Sequence, residues 1–294
     1  MAMAVPGVTT VGSRRQRGSL RLVRMPAATL PLVNWIGFAS IFVVTAVTLA
    51  VPVLAPHDPL LPVSMPLQAP GSNGFLLGTD SIGRDILSRV LYGARSSWFA
   101  ALVVVAVGLL IGGLIGLIAG ATGGWLDTVL MRITDAFLSL PAPVLAIAVV
   151  AALGPGFVHT LIAVSIVWWP FYARLVRGEV ARLAARPHVE AAKLAGVNPI
   201  RLAIRHLLPG ALPNSLVAAS LDIGTLILTL AALSFLGLGQ AAPAPELGAD
   251  SARNLSYFLQ QWWIPVMPGL AVLVLALVGN IAGDCLRNLM KDRA

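Results

Sequence analysis

The sequence predicts an all-α integral membrane protein with six transmembrane helices and with both termini in the cytoplasm. Of its 294 residues, 57% are hydrophobic and only 11% are charged, whereas a soluble domain carries about 25% charged residues. This composition excludes disorder and argues against an ordinary soluble enzyme, because too few polar side chains are present to cover a soluble fold. Alternating ten-residue strands are absent from the sequence, so the spans are predicted to be helices rather than a barrel.

Six apolar stretches are long enough to cross a bilayer, which requires about 20 residues of helix. One N-terminal helix precedes a five-helix core, and the predicted spans are 31–54, 98–122, 136–153, 156–173, 213–238 and 262–282. Of the 20 Lys and Arg, 16 fall in segments on the same side of the membrane as the N-terminus. Basic residues are enriched in cytoplasmic segments, so this split indicates cytoplasmic termini.

Both ends of the chain are predicted to be cytoplasmic tails, at residues 1–30 and 286–294. The first tail is rich in Arg and precedes an apolar run, as in a secretory signal peptide. However, the run exceeds the 7–15 residues typical of such a peptide, and five further spans follow it. We therefore expect the first span to be retained as an anchor.

The connection at 55–97 is predicted to be an external loop that contains a short amphipathic helix. Its apolar residues recur at helical spacing and its polar residues fall on the other side; the former are Ile86, Leu87, Val90, Leu91 and Ala94, and the latter are Arg84, Ser88, Arg89 and Arg95. Such a helix lies on the membrane surface or packs over the ends of the spans, and the sequence leaves both open.

The cytoplasmic connection at 174–209 is predicted to contain two short helices, within a permease-like core at 98–285. The first helix, at 179–195, stops at Gly196. Asn198 is a suitable N-cap and Pro199 a suitable first residue for the second helix, which we expect to end at Pro209. The loop carries seven basic and two acidic residues. It either sets topology only or docks on another protein, and its compact layout favours docking.

Two features within the spans predict helix packing. Glycine recurs every fourth residue in the second span, at Gly108, Gly112, Gly116 and Gly120, and forms a groove that a neighbouring helix can approach closely. In the third span, Pro141 and Pro143 are predicted to kink or break the helix.

Asp222 is an acid inside a predicted span, where an ionised carboxylate costs a few kcal/mol. Such a residue faces a cavity or a partner, or it lies near a helix end and takes a Ser or Thr partner; both interpretations stay open. A stand-alone channel or ion-coupled transporter is a remote alternative for the whole chain. It would need several intramembrane charges, and Asp222 is the one that qualifies.

The sequence contains no recognisable catalytic or metal-binding set. It has no phosphate-binding G-x-x-x-x-G-K-[ST] loop, and its four histidines are scattered. Its single cysteine, Cys285, excludes a disulfide framework. The basic excess is a topology signal rather than a sign of nucleic-acid binding. We therefore expect no enzyme activity, no metal and no nucleic-acid partner.

The cytoplasmic loop resembles the EAA loop of ABC-importer permeases. Its matching residues are Glu190, Ala191, Ala192, Gly196, Leu208 and Pro209. The element Gly78-Thr79-Asp80 with Gly83-Arg84-Asp85, and the element at 233–239, narrow the resemblance to the C-type permease subunit of the dipeptide/oligopeptide/nickel group. The resemblance implies that residues 190–209, including Asn198 and Pro199, form coupling helices that sit in a cleft of a separate ATPase.

The resemblance also implies the partners, the location and the cargo. The chain would form half of the translocation pathway with a homologous second permease in a bacterial cell membrane, with two ATPase subunits or domains and an extracytoplasmic substrate-binding protein. It would bind no cofactor, since ATP and Mg²⁺ would lie on the ATPases. Di- or oligopeptides are the expected cargo; nickel, another metal chelate or heme is the alternative.

Two positions depart from the family pattern. His206 stands where the loop pattern has Ile, which places a less apolar side chain at the expected ATPase contact. Thr229 stands where family members often carry an acid, and Asp222 lies seven residues earlier on a similar face of the helix. The hypothesis that follows is that Asp222 replaces the missing acid, which makes Asp222 and Thr229 the candidates for the translocation pathway.

Overall fold

The computed structural model describes residues 30–291, and over that range the chain is built from α-helices. The helices are α1 (Leu30–Leu54), α2 (Ile86–Thr122), α3 (Gly124–Leu138), α4 (Ala142–Leu153), α5 (Phe157–Ala184), α6 (Pro187–Leu194), α7 (Pro199–Leu202), α8 (Leu208–Phe235), α9 (Leu247–Arg253) and α10 (Trp263–Lys291). A π-helical turn at Ala203–Leu207 joins α7 to α8, and a short 3-10 turn lies at Leu255–Tyr257. Apart from one isolated bridge between Thr79 and Asp85, the described residues contain no strand pairing.

The predicted helical membrane fold is confirmed at this level. Within residues 30–291, four helices are long and apolar enough to cross a membrane, and the bent pair α3–α4 raises the number to five if it forms one span. The predicted N-terminal tail lies outside the described residues except for Leu30, whereas only residues 292–294 of the predicted C-terminal tail do. Leu30 already belongs to α1, and α10 continues to Lys291 rather than ending at 282.

The predicted separate amphipathic helix in the 55–97 connection is wrong. Ile86–Ala94 forms the first turns of α2, which runs for 37 residues without a break. The Asp85 carboxylate caps this helix by accepting hydrogen bonds from the backbone N–H groups of Leu87 and Ser88. Arg89, predicted to lie on the polar side of that helix, is only 4% exposed, because it forms an ion pair with the distant Asp250.

The predicted third span is broken where the prolines stand. It begins earlier than expected, at Gly124, and α3 and α4 are separated by residues 139–141 and bent by 87°. Pro141 caps α4 and Pro143 lies in its first turn, where a missing N–H costs little. The two prolines therefore start a new helix instead of kinking a continuous one.

The core of the bundle forms where α2 meets α5 and α8. Trp98, Val104, Val164, Leu226 and Ile227 are among its most buried side chains. In a soluble protein, burial of these side chains would contribute about 25 cal/mol of stabilising free energy per Å² of apolar surface removed from water. In lipid, the stabilisation comes from close packing of the helices instead.

Glycines let the backbones of α2 and α5 meet directly. A Cβ atom added to Gly112 would lie 2.2 Å from the Trp169 carbonyl oxygen, and one added to Gly116 would lie 2.4 Å from that of Ala173. Gly120 repeats the contact against Arg177, at 2.8 Å, and Gly108 faces the Tyr172 ring. The groove predicted from the glycine spacing is thus the place where α5 lies.

A second glycine contact, which the sequence analysis did not single out, joins α8 to α10. A Cβ atom on Gly279 would lie 2.9 Å from the Gly224 nitrogen, and one on Gly283 would lie 2.8 Å from the Leu221 Cα. The signal in the sequence is a Gly-x-x-x-Gly pair at 279 and 283, a pattern that favours close helix approach in membranes.

We call residues 55–85 and 240–257 the cap layer, because they pack together over the start of α2. The G-T-D-x-x-G-R-D element shapes this layer: the Asp80 carboxylate accepts from the Arg84 backbone N–H at 2.9 Å and from its Nε at 2.6 Å. Gly78 and Gly83 have φ angles of +79° and +87°, and an added Cβ would lie within about 2.2 Å of the carbonyl oxygens of Gln68 and Ser64. Only glycine fits both positions.

Candidate functional site: the cytoplasmic loop and the polar groups of α8

Helix α6 carries the predicted EAA residues and is shorter than expected. Residues 174–184 belong to α5, and α6 starts at Pro187. It ends at Leu194, and Gly196, two residues later, has a φ of +75°. The Val197 N–H donates to the Ala192 carbonyl at 3.1 Å and the Gly196 N–H to that of Lys193 at 3.0 Å, which is the Schellman pattern for ending a helix.

The next helix begins as predicted but does not end as predicted. The Asn198 side chain accepts a hydrogen bond from the Ile200 N–H at 2.9 Å, and Pro199 occupies the first turn. Pro209 does not terminate the helix, because the chain continues helically from Pro199 to Phe235 over 37 residues. The π turn at Ala203–Leu207 widens the helix just before Pro209, and this turn accommodates the proline ring.

A small apolar cluster fixes this loop to the bundle. Its buried members come from α2, α5, α6, α7 and α8 and from the π turn: Leu117, Val176, Val180, Leu183, Val189, Leu202, Leu207 and Ala211. Polar contacts add to it, since the Asn214 amide donates to Glu179 at 2.9 Å and Arg177 forms two hydrogen bonds to Asp127, at 3.0 and 2.6 Å. The loop is therefore a rigid block rather than a loose connection.

Three apolar side chains of this loop are exposed, and we name them the coupling surface after the role that the resemblance implies for the loop: Leu194, Ile200 and Ile204. Leu194 is 90% exposed, and the other two are also exposed on α7 and the π turn. Of the residues that match the EAA pattern, Glu190, Ala191, Gly196 and Pro209 are exposed, whereas Ala192 and Leu208 are half-buried. An exposed apolar patch with a polar rim is typical of a protein interaction site.

His206 lies in the π turn and is half-buried. Within the described part of the chain its Nδ1 atom is buried and has no hydrogen-bond partner. This departure from the family pattern is therefore half-buried in the π turn, next to the exposed Arg205 in the sequence.

Asp222 lies about halfway along α8 and faces α5. The Trp168 Nε1–H donates a hydrogen bond to its Oδ2 atom at 3.2 Å. The acid therefore takes an aromatic partner from another helix, not the Ser or Thr partner considered above. Thr229 is half-buried two turns further on, and its hydroxyl donates to the Thr225 carbonyl of its own helix at 2.8 Å.

The described residues form no cluster of metal-ligating side chains. No group of three or more His, Cys, Asp and Glu side chains between residues 30 and 291 is arranged to hold a metal ion. The features that remain are a rigid coupling surface at one end of a continuous helix and a polar group inside the same helix.

Comparison with known proteins explains this combination. Residues 112–293 match the family described as "Binding-protein-dependent transport system inner membrane component". The chain belongs to this family. Its members are permease subunits of ABC transporters that work with ATPase and substrate-binding partners, so the chain is a non-catalytic, multi-pass protein of the bacterial inner membrane.

Curated relatives cover most of the chain. The probable D,D-dipeptide transport system permease protein DdpC of Escherichia coli (strain K12) is 43% identical over 243 residues, which cover 83% of this chain and 82% of the relative. The di/tripeptide transport system permease protein DppC of Pseudomonas aeruginosa (strain UCBPP-PA14) is 39% identical, with 87% of each chain covered. These relatives confirm the resemblance predicted from the motifs.

The fold is similar to that of solved ABC transporters. An inward-facing structure of the MetNI methionine ABC transporter matches with a TM-score of 0.55 at 22% identity, covering 68% of this chain and 94% of that chain. An amino acid ABC transporter crystallised with histidines gives a TM-score of 0.54 at 17% identity. At these identities the similarity shows the fold alone.

Proposed function

We propose that this chain is a permease subunit of an ATP-driven importer of di- or oligopeptides. The observation that carries the proposal is the identity of 37–43% to permeases named for dipeptide transport, over 83–88% of the chain. The coupling surface and the polar groups of α8 supply the two parts that such a subunit needs, one for the ATPase and one for the pathway.

The proposed topology has six spans and cytoplasmic termini. α1 crosses first, α3 and α4 together form the bent third span, and the coupling surface faces the cytoplasm. The basic residues of the loop at 174–209 support this orientation. The cap layer then lies on the outer face, where a binding protein delivers the cargo.

Coupling follows from the continuity of the helix between Pro199 and Phe235. A helix rises 1.5 Å per residue, so the distance from Leu202 to Asp222 is about 30 Å along one rod. Closure of two ATPase subunits on ATP and Mg²⁺ would displace the coupling surface and thereby move the continuous helix between Pro199 and Phe235. A homologous second permease would form the other wall of the pathway, which would open alternately to the two sides.

The coupling proposal is tested by co-purification with the ATPase subunits. Leu194→Glu places a charge in the coupling surface and should reduce recovery of the ATPase at least about tenfold, since a buried unpaired charge costs several kcal/mol. Leu259→Glu is the matched control, because Leu259 is 92% exposed but lies near the cap layer. Equal ATPase recovery with the two variants would contradict the assignment of the coupling surface.

The cargo is tested by uptake in cells that express the complete transporter with its binding protein. Uptake of a labelled dipeptide that requires this chain supports the proposal. Uptake of nickel, another metal chelate or heme instead, without competition by dipeptides, would favour the alternative cargo.

Asp222 and Thr229 are the proposed pathway residues on α8. Asp222→Asn keeps the acceptor for Trp168 and removes the charge, so we expect slower uptake at normal protein levels. Unchanged uptake would contradict a pathway role for the charge.

A further inference from the structure

A cavity of about 400 Å³ lies between the first half of α2, the start of α5 and the loop that follows α8. Its walls include, from these three elements, Tyr92, Arg95, Phe99, Val103, Leu161 and Gln240. The four residues of α2 follow one another at intervals of three or four, so they lie on one side of the helix. Along α2 the polar pair comes first and the apolar pair second. We call this space the Arg95 cavity.

The guanidinium of Arg95 has no acid to pair with. The other three basic residues of the segments 55–97 and 240–257 form ion pairs, and they are Arg84, Arg89 and Arg253. Arg95 is half-buried and makes neither an ion pair nor a side-chain hydrogen bond within residues 30–291. No acid lines the cavity. Because a half-buried charge is stabilised by pairing, the cavity favours an anion from outside the chain.

Two further polar groups of the cavity are also without partners. The Gln240 side-chain amide and the Tyr92 hydroxyl make no hydrogen bond in the described part of the chain. Both groups can donate a hydrogen bond, as the guanidinium can. Three donors from two separate elements therefore line one cavity.

The loop that closes the cavity is held in place by hydrogen bonds. The Gln240 N–H donates to the Glu246 carboxylate at 2.9 Å, and the Gln240 carbonyl accepts from the Arg253 Nη2 at 2.6 Å. The Leu238 carbonyl accepts from the Thr160 hydroxyl at 2.6 Å, which ties the loop to α5. The position of Gln240 opposite α2 is thus a fixed feature of the fold.

The apolar end of the cavity continues into helix sides that suit lipid. On α2, Val103 is followed by the exposed Leu110 and Leu114, and α5 exposes Ile162 and Ile166. Neither α2 after Arg95 nor α5 before Arg174 contains an Asp, Glu, Lys or Arg. An apolar surface without charges is typical of contact with the hydrocarbon of a bilayer.

We propose that the Arg95 cavity binds one anionic phospholipid, with its phosphate on Arg95. A guanidinium binds phosphate through two parallel hydrogen bonds, and the Tyr92 hydroxyl and the Gln240 amide can donate to further phosphate oxygens. The cavity offers no acid to a headgroup amine, so it favours an anionic lipid over a zwitterionic one.

The acyl chain of this lipid lies along Phe99, Val103 and Leu161. The rise from Arg95 to Val103 is about 12 Å, which fits within one leaflet, since half of the hydrocarbon core is about 15 Å thick. The lipid would then connect α2, α5 and the loop at 236–246. This inference goes beyond the proposed function, and the choice of the outer leaflet rests on the proposed topology.

Photo-cross-linking tests the site in the complete permease–ATPase complex, in nanodiscs of phosphatidylcholine. The probe is a phosphatidylglycerol with a diazirine in its acyl chain, and mass spectrometry should find the adduct at 99–103 or 157–161. Hydrogen bonds to charged groups are strong, so Arg95→Gln should reduce the yield at limiting probe at least about tenfold. Arg95→Lys keeps the charge but not the planar fork and should give an intermediate yield. A phosphatidylethanolamine with the same diazirine should react less than the phosphatidylglycerol.

Arg132→Gln is the matched control for the loss of one positive charge. Arg132 is an exposed residue of α3 that also makes no ion pair in the described chain, and this variant should leave the adduct unchanged. Without phosphatidylglycerol, Arg95→Gln should melt at the temperature of the parent complex, because Arg95 has no partner to lose. Added phosphatidylglycerol should raise the melting temperature of the parent more than that of Arg95→Gln.

Three outcomes would overturn the inference. The first is the absence of an adduct at 99–103 and 157–161 in the complete complex, since another subunit would then cover the cavity. The second is an equal yield from the parent, Arg95→Gln and Arg132→Gln. The third is an adduct that excess dipeptide abolishes, which would assign the Arg95 cavity to the cargo instead of a lipid.

Discussion

Replacing Arg89 with Met should destabilise the cap layer by about 3–5 kcal/mol, the usual cost of removing one partner from a buried ion pair. The Arg89 guanidinium donates to Asp250 at 2.6 and 3.1 Å and to the carbonyl oxygens of Pro59 at 2.8 Å and Pro243 at 3.1 Å. Met keeps most of the aliphatic volume, so the loss comes from the charge and its hydrogen bonds. Asp250 retains only the weaker pair with Arg253, at 3.2 Å.

Thermal unfolding in one detergent, with proteolysis of the segment at 240–257, measures the effect. The matched control is Arg174→Met, because Arg174 and its partner Asp135 are 57% and 52% exposed, and an exposed pair contributes less than about 1 kcal/mol. The double variant Arg89→Met with Asp250→Leu should recover most of the loss, because no buried charge is left unpaired. Arg253 also loses Asp250, but its side chain is 31% exposed and still donates to the Gln240 carbonyl. A loss in Arg89→Met no larger than in Arg174→Met would refute the reasoning.

Three further variants test the loop, the helix contacts and the cap layer. Gly196→Leu forces a side chain into left-handed backbone, which costs about 1–2 kcal/mol. We therefore expect ATPase coupling to fall while membrane insertion is kept. Gly178→Leu is the control for uptake, because Gly178 has ordinary backbone and an added side chain there meets open space. Gly116→Leu should lower stability by at least about 1–3 kcal/mol through overpacking, whereas Gly113→Leu meets open space and should not; equal melting points would contradict the close contact of α2 and α5. Burial raises the pKa of Glu246 above 4.5, so the folded state favours the protonated form of this side chain. The free energy of unfolding should therefore fall as pH rises from about 4.5 through the raised pKa. Glu246→Gln should remove this pH dependence, and an unchanged pH dependence would assign it to other groups.

Local signals in the sequence predicted the parts of the fold that local chemistry determines. Asn198 and Pro199 start a helix because a side-chain acceptor and a missing N–H suit its first turn, and Gly196 ends one because its backbone is left-handed. The spacing of the glycines at 108–120 predicted a groove. The spacing did not predict that α5 would lie in this groove, because the identity of the packing partner depends on the tertiary structure.

The errors arose where distant residues or unusual turns decide the structure. Arg89 was predicted to lie on the polar side of a separate amphipathic helix, but its partner Asp250 lies 161 residues away in the sequence, and no local pattern indicates such a pair. Pro209 was expected to stop a helix that a π turn allows to continue. Asp222 stands out in its apolar run, but its partner Trp168 lies 54 residues away in the sequence, and the local pattern does not indicate it.

The backbone contact between α2 and α5 limits how the subunit can change shape. Carbonyl groups of α5 rest where glycines of α2 have no side chains, so neither helix can slide or turn against the other without a collision. We expect α2 and α5 to move as one rigid unit during transport. Any change of shape must then occur elsewhere in the bundle, and the 87° bend between α3 and α4 is the place where we expect a hinge.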